Sequence, residues 1–331
     1  MLTTLFTLAG GLVLLVVGGE LLVRGSVQVA ERLGVSPLLI GLTLVGFGTS
    51  MPELVTSVEA SLRGAPGISI GNIVGSNVAN ILLVIGLSAV IFPLRVGASA
   101  LKRDGSFVIA TALLFTICGF LFGLDRLAGG FFILLLVSYM AYAYRQESQP
   151  LTIERQGHTA AFDRGEAVEQ VDTTLHGRQR VGLLGWLLPI ALAMAGLAII
   201  ILGGRILVDA AVSLSRALGL SESVIGLTVV AVGTSLPEFV TSVVAAIRRQ
   251  SDIAVGNVLG SNIYNVLGIG GVTGLIAPTA FPPDMLEADL FVMIGASVLL
   301  FLFAWNGKVS RVEGAALLAG YTAYTAYLLT R

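Results

Sequence analysis

Charge is what this sequence has least of. Asp, Glu, Lys and Arg make up only 12% of its 331 residues, about half the share found in a typical soluble domain. So few charges cannot coat a chain of this length, and mean hydropathy is +0.92. An ordinary soluble enzyme is excluded. Neither sign is in excess, with 19 basic and 20 acidic residues, so nothing points to nucleic acid or another polyanionic partner. Cysteine is almost absent. Cys118 stands alone, which excludes an internal disulfide and a multi-cysteine zinc or iron–sulfur centre, and it reads as a small apolar packing residue. The only histidines, His158 and His176, fall in a polar stretch and read as solvated loop residues. Without an HExxH pattern, a histidine in an apolar segment or paired aspartates inside one, an intramembrane protease has no machinery.

What is abundant is glycine, 41 residues, set in long apolar runs, as in tightly packed membrane helices. Ten stretches suit a bilayer span of about 20 residues: 4–23, 36–62, 68–94, 106–124, 127–144, 182–208, 223–247, 253–278, 288–305 and 312–329. Residues 1–4 carry no basic region, so the first stretch reads as a membrane helix and not a cleavable signal. With the N-terminus outside, 14 Lys and Arg fall inside and 5 outside. The positive-inside rule therefore favours both termini outside, and the polar segment 145–181 reads as a cytoplasmic linker.

The chain repeats itself. Residues 48–86 (GTSMPELVTSVEASLRGAPGISIGNIVGSNVANILLVIG) and 233–271 (GTSLPEFVTSVVAAIRRQSDIAVGNVLGSNIYNVLGIGG) agree at 20 of 39 positions with a constant offset of 185 and no gap. Gly18-Gly19 with Gly203-Gly204, and Ile40-Gly41-Leu42-Thr43 with Ile225-Gly226-Leu227-Thr228, extend the match upstream. A duplicated unit of five spans enters the membrane from opposite faces, because five is odd. The expected fold is thus an all-α integral membrane protein with ten transmembrane helices in two inverted-topology five-helix repeats, 1–144 and 182–331. This is a transporter architecture, with its site near the midplane where the repeats meet. A channel would not need that enclosed arrangement.

The shared positions are mainly polar or backbone-shaping ones. Glu53 and Glu238 lie near the centres of the second and seventh spans, where a carboxylate is costly and functional by default. Thr49 precedes Glu53, and Thr234 precedes Glu238, by four residues, which puts each pair on one helix face. Pro52 and Pro237 lack an N–H and free the carbonyls at Gly48 and Gly233, a break tolerated at membrane depth where it lines a polar cavity. Asn72, Ser76 and Asn80 form one polar stripe at i, i+4, i+8, repeated by Asn257, Ser261 and Asn265. Gly71 with Gly75, and Gly256 with Gly260, allow close helix approach. All these donors are oxygens, which suits Ca²⁺, Mg²⁺, Na⁺ or K⁺ and not zinc or copper. Glu20/Arg24 and Arg205/Asp209 read as local i, i+4 ion pairs.

GTSMPE with GNIVGSN, and GTSLPE with GNVLGSN, resemble the paired alpha repeats of the sodium/calcium exchanger superfamily, in its short bacterial calcium/sodium antiporter form. The resemblance spans essentially the whole chain. It implies alternating access of a central site shared by Na⁺ and Ca²⁺ in the inner membrane, with no cofactor and no obligatory protein partner. It also implies ion ligands at Thr49, Ser50, Glu53, Ser76 and Asn80, and at Thr234, Ser235, Glu238, Ser261 and Asn265, with backbone oxygens near Gly46 and Ala231. Some members carry Asp at the position of Asn80 or Asn265, whereas this chain has Asn at both, which bears on stoichiometry and leaves H⁺- or K⁺-coupled exchange as the alternative. The large regulatory domain of animal exchangers is absent from the central loop.

The topology gives a first test. In a Cys118→Ser background, Thr330→Cys should label from outside intact cells with a membrane-impermeant thiol reagent and Ser148→Cys should not. External labelling of Ser148→Cys would reverse the orientation.

Overall fold

The computed structural model describes residues 2–33, 46–147, 162 and 183–330. Most of the expected linker, and residues 34–45 at the start of the second expected span, lie outside the described residues. The rest is helical: α1 (Leu2–Arg32), a single turn Gly46–Gly48, α2 (Met51–Leu62), α3 (Pro66–Ile91), α4 (Leu101–Leu121), α5 (Arg126–Glu147), α6 (Leu183–Leu218), α7 (Glu222–Thr234), α8 (Leu236–Ile247), α9 (251–276), α10 (Met285–Ala304) and α11 (Arg311–Thr330).

Six of these among the described residues, α1, α3, α4, α5, α6 and α10, are long and apolar enough to cross a membrane, and the bent pair α7–α8 makes a possible seventh. Helices also occupy the other expected windows, the second only in its described part, but they are shorter or more polar. Their polarity has a physical source: α2, α8 and α9 carry the Ser, Thr, Asn and Glu residues singled out above. The first and sixth helices run well past their expected ends, to 31 and 36 residues. At about 1.5 Å per residue both exceed the ~30 Å hydrocarbon core, and such helices tilt.

Burial orders the bundle. The apolar window of α3 is 83% buried, against 28% for α1, α5 and α6. The outer helices turn Leu113, Ile117, Phe120, Leu134, Leu188 and Phe291 to the surroundings. An exposed apolar surface of this extent is a lipid-facing one. The chain is an integral membrane protein.

Small residues set the spacing of α1 and α6. A methyl group added at Gly11, Gly18 or Gly25 of α1 would lie 2.9, 2.8 or 2.5 Å from backbone atoms of Leu207, Ile200 or Ala193 on α6. These contacts run in opposite directions along the two chains, so α1 and α6 are antiparallel, and the seven-residue spacing keeps one seam facing the partner.

The fifth helix of each half packs on the other half. Gly86 at the end of α3 meets Gly314 and Leu318 of α11, while Gly271 of α9 meets Gly129 and Ile133 of α5. These pairs map onto each other under the 185-residue offset. So do two short backbone pairings: Leu94 with Val309 in a two-stranded sheet, β1 (Leu94–Arg95) with β2 (Lys308–Val309), and Thr279 with Leu124 in an isolated bridge.

The seam is testable. Gly25→Ala should lower the melting temperature in detergent, because overpacking costs about 1–3 kcal/mol. Gly10→Ala on the same helix, with nothing within 4 Å of the new methyl, should be neutral or slightly stabilising.

Candidate ion-binding site

Each glutamate sits in the first turn of a helix that starts at a break. Ser50 and Ser235 hold bridge-region angles, φ −90° and ψ 10°, and φ −81° and ψ 10°, and α2 and α8 begin directly after them. In the second half the axis bends by 52° between α7 and α8. The sequence expectation that proline makes the break is refined. Pro52 and Pro237 lie inside the first turn of the new helices, where an absent N–H costs nothing, and the serines before them take the non-helical conformation. Glu53 and Glu238 therefore sit at the N-terminal ends of α2 and α8, where the helix dipole presents its positive end.

Both side chains are 1% exposed, and the two breaks face each other. Ser50 Oγ is 3.2 Å from Glu238 Oε1 and 3.5 Å from Asn265 Oδ1. Ser235 Oγ donates to Glu53 Oε1 at 2.9 Å. Each serine thus reaches the carboxylate of the opposite half. Around Glu238 a carboxylate oxygen, an amide carbonyl oxygen and a hydroxyl oxygen converge with only one hydroxyl proton between them. Such a gathering of oxygens is of the kind that ligates a hard cation.

The remaining predicted residues fall around these. Thr234 Oγ1 donates to Asn72 Oδ1 at 3.0 Å and lies 3.3 Å from the Ala231 carbonyl. Ser76 Oγ reaches that same carbonyl at 3.4 Å. Asn80 Nδ2 donates to Asn262 Oδ1 at 3.0 Å. Thr49 is half-buried beside Ser50, and Gly46 opens the single turn before it. Ser261 lies one turn before Asn265 on α9 and is fully buried. Asn80 Oδ1, Asn257 Oδ1 and Ser261 Oγ, all buried, have no hydrogen-bond partner among the described residues.

Three supporting residues, Ser57, Ser242 and Asn262, escaped the sequence reading, and the stripe residues Asn72 and Asn257 take a bracing role. Asn72 Nδ2 binds the Glu53 carbonyl at 3.0 Å and Ser57 Oγ at 2.9 Å. Asn257 Nδ2 does the same for the Glu238 carbonyl at 3.2 Å and Ser242 Oγ at 2.8 Å. The first asparagine of each stripe therefore braces the glutamate turn against α3 or α9. Ser57, Ser242 and Asn262 belong to the identical positions of the repeat, and that identity was the signal available.

Asp104 and Asp289 are a second surprise, 1% and 0% exposed. The sequence puts them just outside or at the edge of apolar windows. The structure buries both on π turns, with Tyr139 donating to Asp104 at 3.4 Å and Tyr324 to Asp289 at 2.9 Å. Arg103 adds an ion pair to Asp104 at 2.9 Å.

One pairing expectation is corrected. Glu20 and Arg24 do form a local pair. Arg205 and Asp209 instead reach α2: Arg205 lies 3.4 Å from Glu59, and Asp209 pairs with Arg63, itself 2.8 Å from Glu59. The reason is that the end of α2 packs beside α6 and offers opposite charges one turn apart.

Buried carboxylates and neutral oxygens inside a bundle of membrane-length helices define a cation transporter of the integral membrane class. A sequence model described as sodium/calcium exchanger protein matches residues 3–145 and 188–330. The chain belongs to the sodium/calcium exchanger family. It is 36% identical over 347 residues to the sodium/calcium exchanger MaX1 of Methanosarcina acetivorans, covering 96% of each chain. It is 33% identical over 322 residues to the inner membrane protein YrbG of Escherichia coli, covering 96% of this chain and 94% of that one. Its structure is similar to the sodium–calcium exchanger NCX_Mj soaked with Na⁺ and Sr²⁺, with a TM-score of 0.62 and 31% identity, covering 98% of this chain and 97% of that one.

Glu53→Gln and Glu238→Gln each remove one of the two charges from a site whose other donors are dipoles. Calorimetric titration with Ca²⁺ should show binding lost in either variant. Thr234→Ala, which removes only a hydroxyl, should weaken binding by no more than about tenfold. Wild-type affinity in the Glu53→Gln/Glu238→Gln double variant would remove both glutamates from the site.

Proposed function

We propose that this chain is a secondary antiporter exchanging Na⁺ for Ca²⁺ across the bacterial inner membrane. In this reading one oxygen-lined site near the midplane opens alternately to either side, and ten transmembrane helices form two inverted repeats, 1–144 and 182–331. Both termini face outside, and 145–181 is a cytoplasmic linker. The ligands are Thr49, Ser50, Glu53, Ser76, Asn80 and the Gly46 carbonyl from the first repeat. Thr234, Ser235, Glu238, Ser261, Asn265 and the Ala231 carbonyl come from the second. The observation that carries the reading is the reciprocal reach of Ser50 to Glu238 and of Ser235 to Glu53. It joins the two motifs into one cluster of oxygen donors. Support for the inverted repeat comes from the antiparallel α1 and α6 and from the exchanged helix contacts that recur under the 185-residue offset.

The charge balance supplies the mechanism. Asn80 and Asn265 are neutral amides, so the fixed charge is that of Glu53 and Glu238. One Ca²⁺ cancels it, and a load of three Na⁺ leaves one positive charge. The helix N-termini at Glu53 and Glu238 ease the release of a cation without neutralising the carboxylates. Reorienting an unloaded, doubly negative site through a low-dielectric region stays costly. A transporter under that constraint returns only with a replacement cation, which is exchange and not leak.

Purified protein in proteoliposomes tests this. An imposed Na⁺ gradient should drive ⁴⁵Ca²⁺ uptake, and K⁺ or pH gradients alone should not. Uptake driven equally by a pH gradient would transfer the coupling to protons. At saturating ions the rate should respond to a clamped potential, since one charge crossing 100 mV is worth about 2.3 kcal/mol. A voltage-independent rate would count against the three-Na⁺ load.

A further inference from the structure

We propose that Asn262 is a positioning residue that fixes which end of the Asn80 amide faces the cation. The proposal rests on the site reading above, in which Asn80 is a ligand. An asparagine amide presents a carbonyl oxygen on one side and an NH₂ on the other, and the two are nearly the same shape. Only the oxygen can ligate a cation; the flipped amide would aim two partial positive charges at it. The preference between the two orientations must come from neighbours.

The structure contains a chain of hydrogen bonds that sets it. It starts at the backbone carbonyl of Asn77, which can only accept. Asn262 Nδ2 donates to that carbonyl at 3.3 Å, so the other end of the Asn262 amide, Oδ1, points away from it. Asn262 Oδ1 in turn can only accept, and Asn80 Nδ2 donates to it at 3.0 Å. The remaining end of Asn80, Oδ1, is therefore the one left over. That oxygen is buried and has no hydrogen-bond partner among the described residues. Asn80 and Asn262 are 0% and 1% exposed, so water does not compete for either amide. Both flips trace back to one acceptor-only atom.

The local helix geometry makes the anchor reachable. Asn77 lies just before the π turn Asn80–Ile85, where the backbone ladder changes from i+4 to i+5 partners. Asn77's own side chain is turned away, donating from Nδ2 to the Ile73 carbonyl at 2.7 Å. The relay therefore crosses from α9 of the second half to α3 of the first. At the equivalent asparagine, Asn265, the carbonyl end is set differently, facing Ser50 Oγ at 3.5 Å.

The proposal separates orientation from packing by one substitution. Asn80→Asp replaces the amide by two oxygens, which have no wrong end. In the native background, Asn262→Leu, nearly the same shape as asparagine, should raise the half-saturating Ca²⁺ for ⁴⁵Ca²⁺ uptake about tenfold. In the Asn80→Asp background the same change should move it less than about twofold relative to Asn80→Asp alone. An equal penalty in both backgrounds, or none in the native one, would overturn the proposal. Asn262→Ala is to be run beside Asn262→Leu, with melting temperatures for both. If neither folds, Asn262→Gln is assayed in both backgrounds instead: it keeps the amide but displaces both of its ends by one methylene, so it should raise half-saturating Ca²⁺ in the native background and not in Asn80→Asp, and wild-type affinity in the native background would overturn the proposal. Asn80→Ala separates the two readings. If it leaves Ca²⁺ affinity unchanged, Asn80 is not a ligand and the site assignment itself fails there; if it weakens binding while Asn262→Leu does not, only the role of Asn262 fails.

Discussion

The constraint on which the rest of this structure depends is the burial of two carboxylates, Glu53 and Glu238, inside a bundle whose outer surface is apolar. Each is 1% exposed, and the effective penalty for removing such an ion from water is several kcal/mol. Three features of the fold address that penalty. Helix breaks put both side chains at positive helix ends. Serines from the opposite half, Ser50 and Ser235, approach them. Asn72 and Asn257 tie the backbone of each glutamate turn to the neighbouring helix. None of these neutralises a full charge, and in the proposed function the cargo cation completes the electrostatic balance.

The same constraint explains the irregular helices. A regular α-helix engages its interior carbonyls with backbone N–H groups and leaves little of them exposed to an ion or to a side chain from another helix. Here the breaks at Ser50 and Ser235 and the π turns at Asn80–Ile85, Gly226–Val230 and Tyr264–Ile269 cluster beside the glutamates. They place carbonyls such as those of Ala231 and Asn77 within reach of Ser76, Thr234 and Asn262. Glycines keep the surrounding helices close enough for this. Gly71 and Gly75 of α3 lie against Gly226, Leu227 and Ala231 of α7, so two broken or loosened segments share one layer.

Much of this was legible in the sequence, for a physical reason. A carboxylate in an apolar run is expensive enough to stand out, and a gapless repeat marks the positions that cannot vary freely. Glu53, Glu238 and the serines before them were found that way, and so was the close approach at Gly71 and Gly75. Asp104 and Asp289 were not, because a hydropathy window cannot tell a helix end that surfaces from one buried under the tyrosine of the next helix. Arg205 and Asp209 were assigned to each other because i, i+4 spacing is visible in a sequence. The nearness of Glu59 and Arg63 on α2 is not. Asn262 was overlooked although it is a repeated residue, since its role lies in a hydrogen-bond direction that no spacing encodes.

The two halves share their motif residues but not their bonds. Thr234 donates to Asn72 Oδ1, and Ser76 reaches the Ala231 carbonyl. The equivalent acceptor Asn257 Oδ1 and the equivalent hydroxyl of Ser261 have no hydrogen-bond partner among the described residues. Thr49, Asn257 and Ser261 match Thr234, Asn72 and Ser76 in kind, so the difference lies in their surroundings, where Ala231 aligns with Gly46 and Tyr264 with Ala79. In the second half, Thr234 of the broken helix is engaged with Asn72 of α3. In the proposed exchange cycle, the second state is the one in which the two halves trade these bonding patterns. Alternating access, as proposed, requires two states, and the polar side chains proposed to hold the cation are the ones whose bonding differs between the halves.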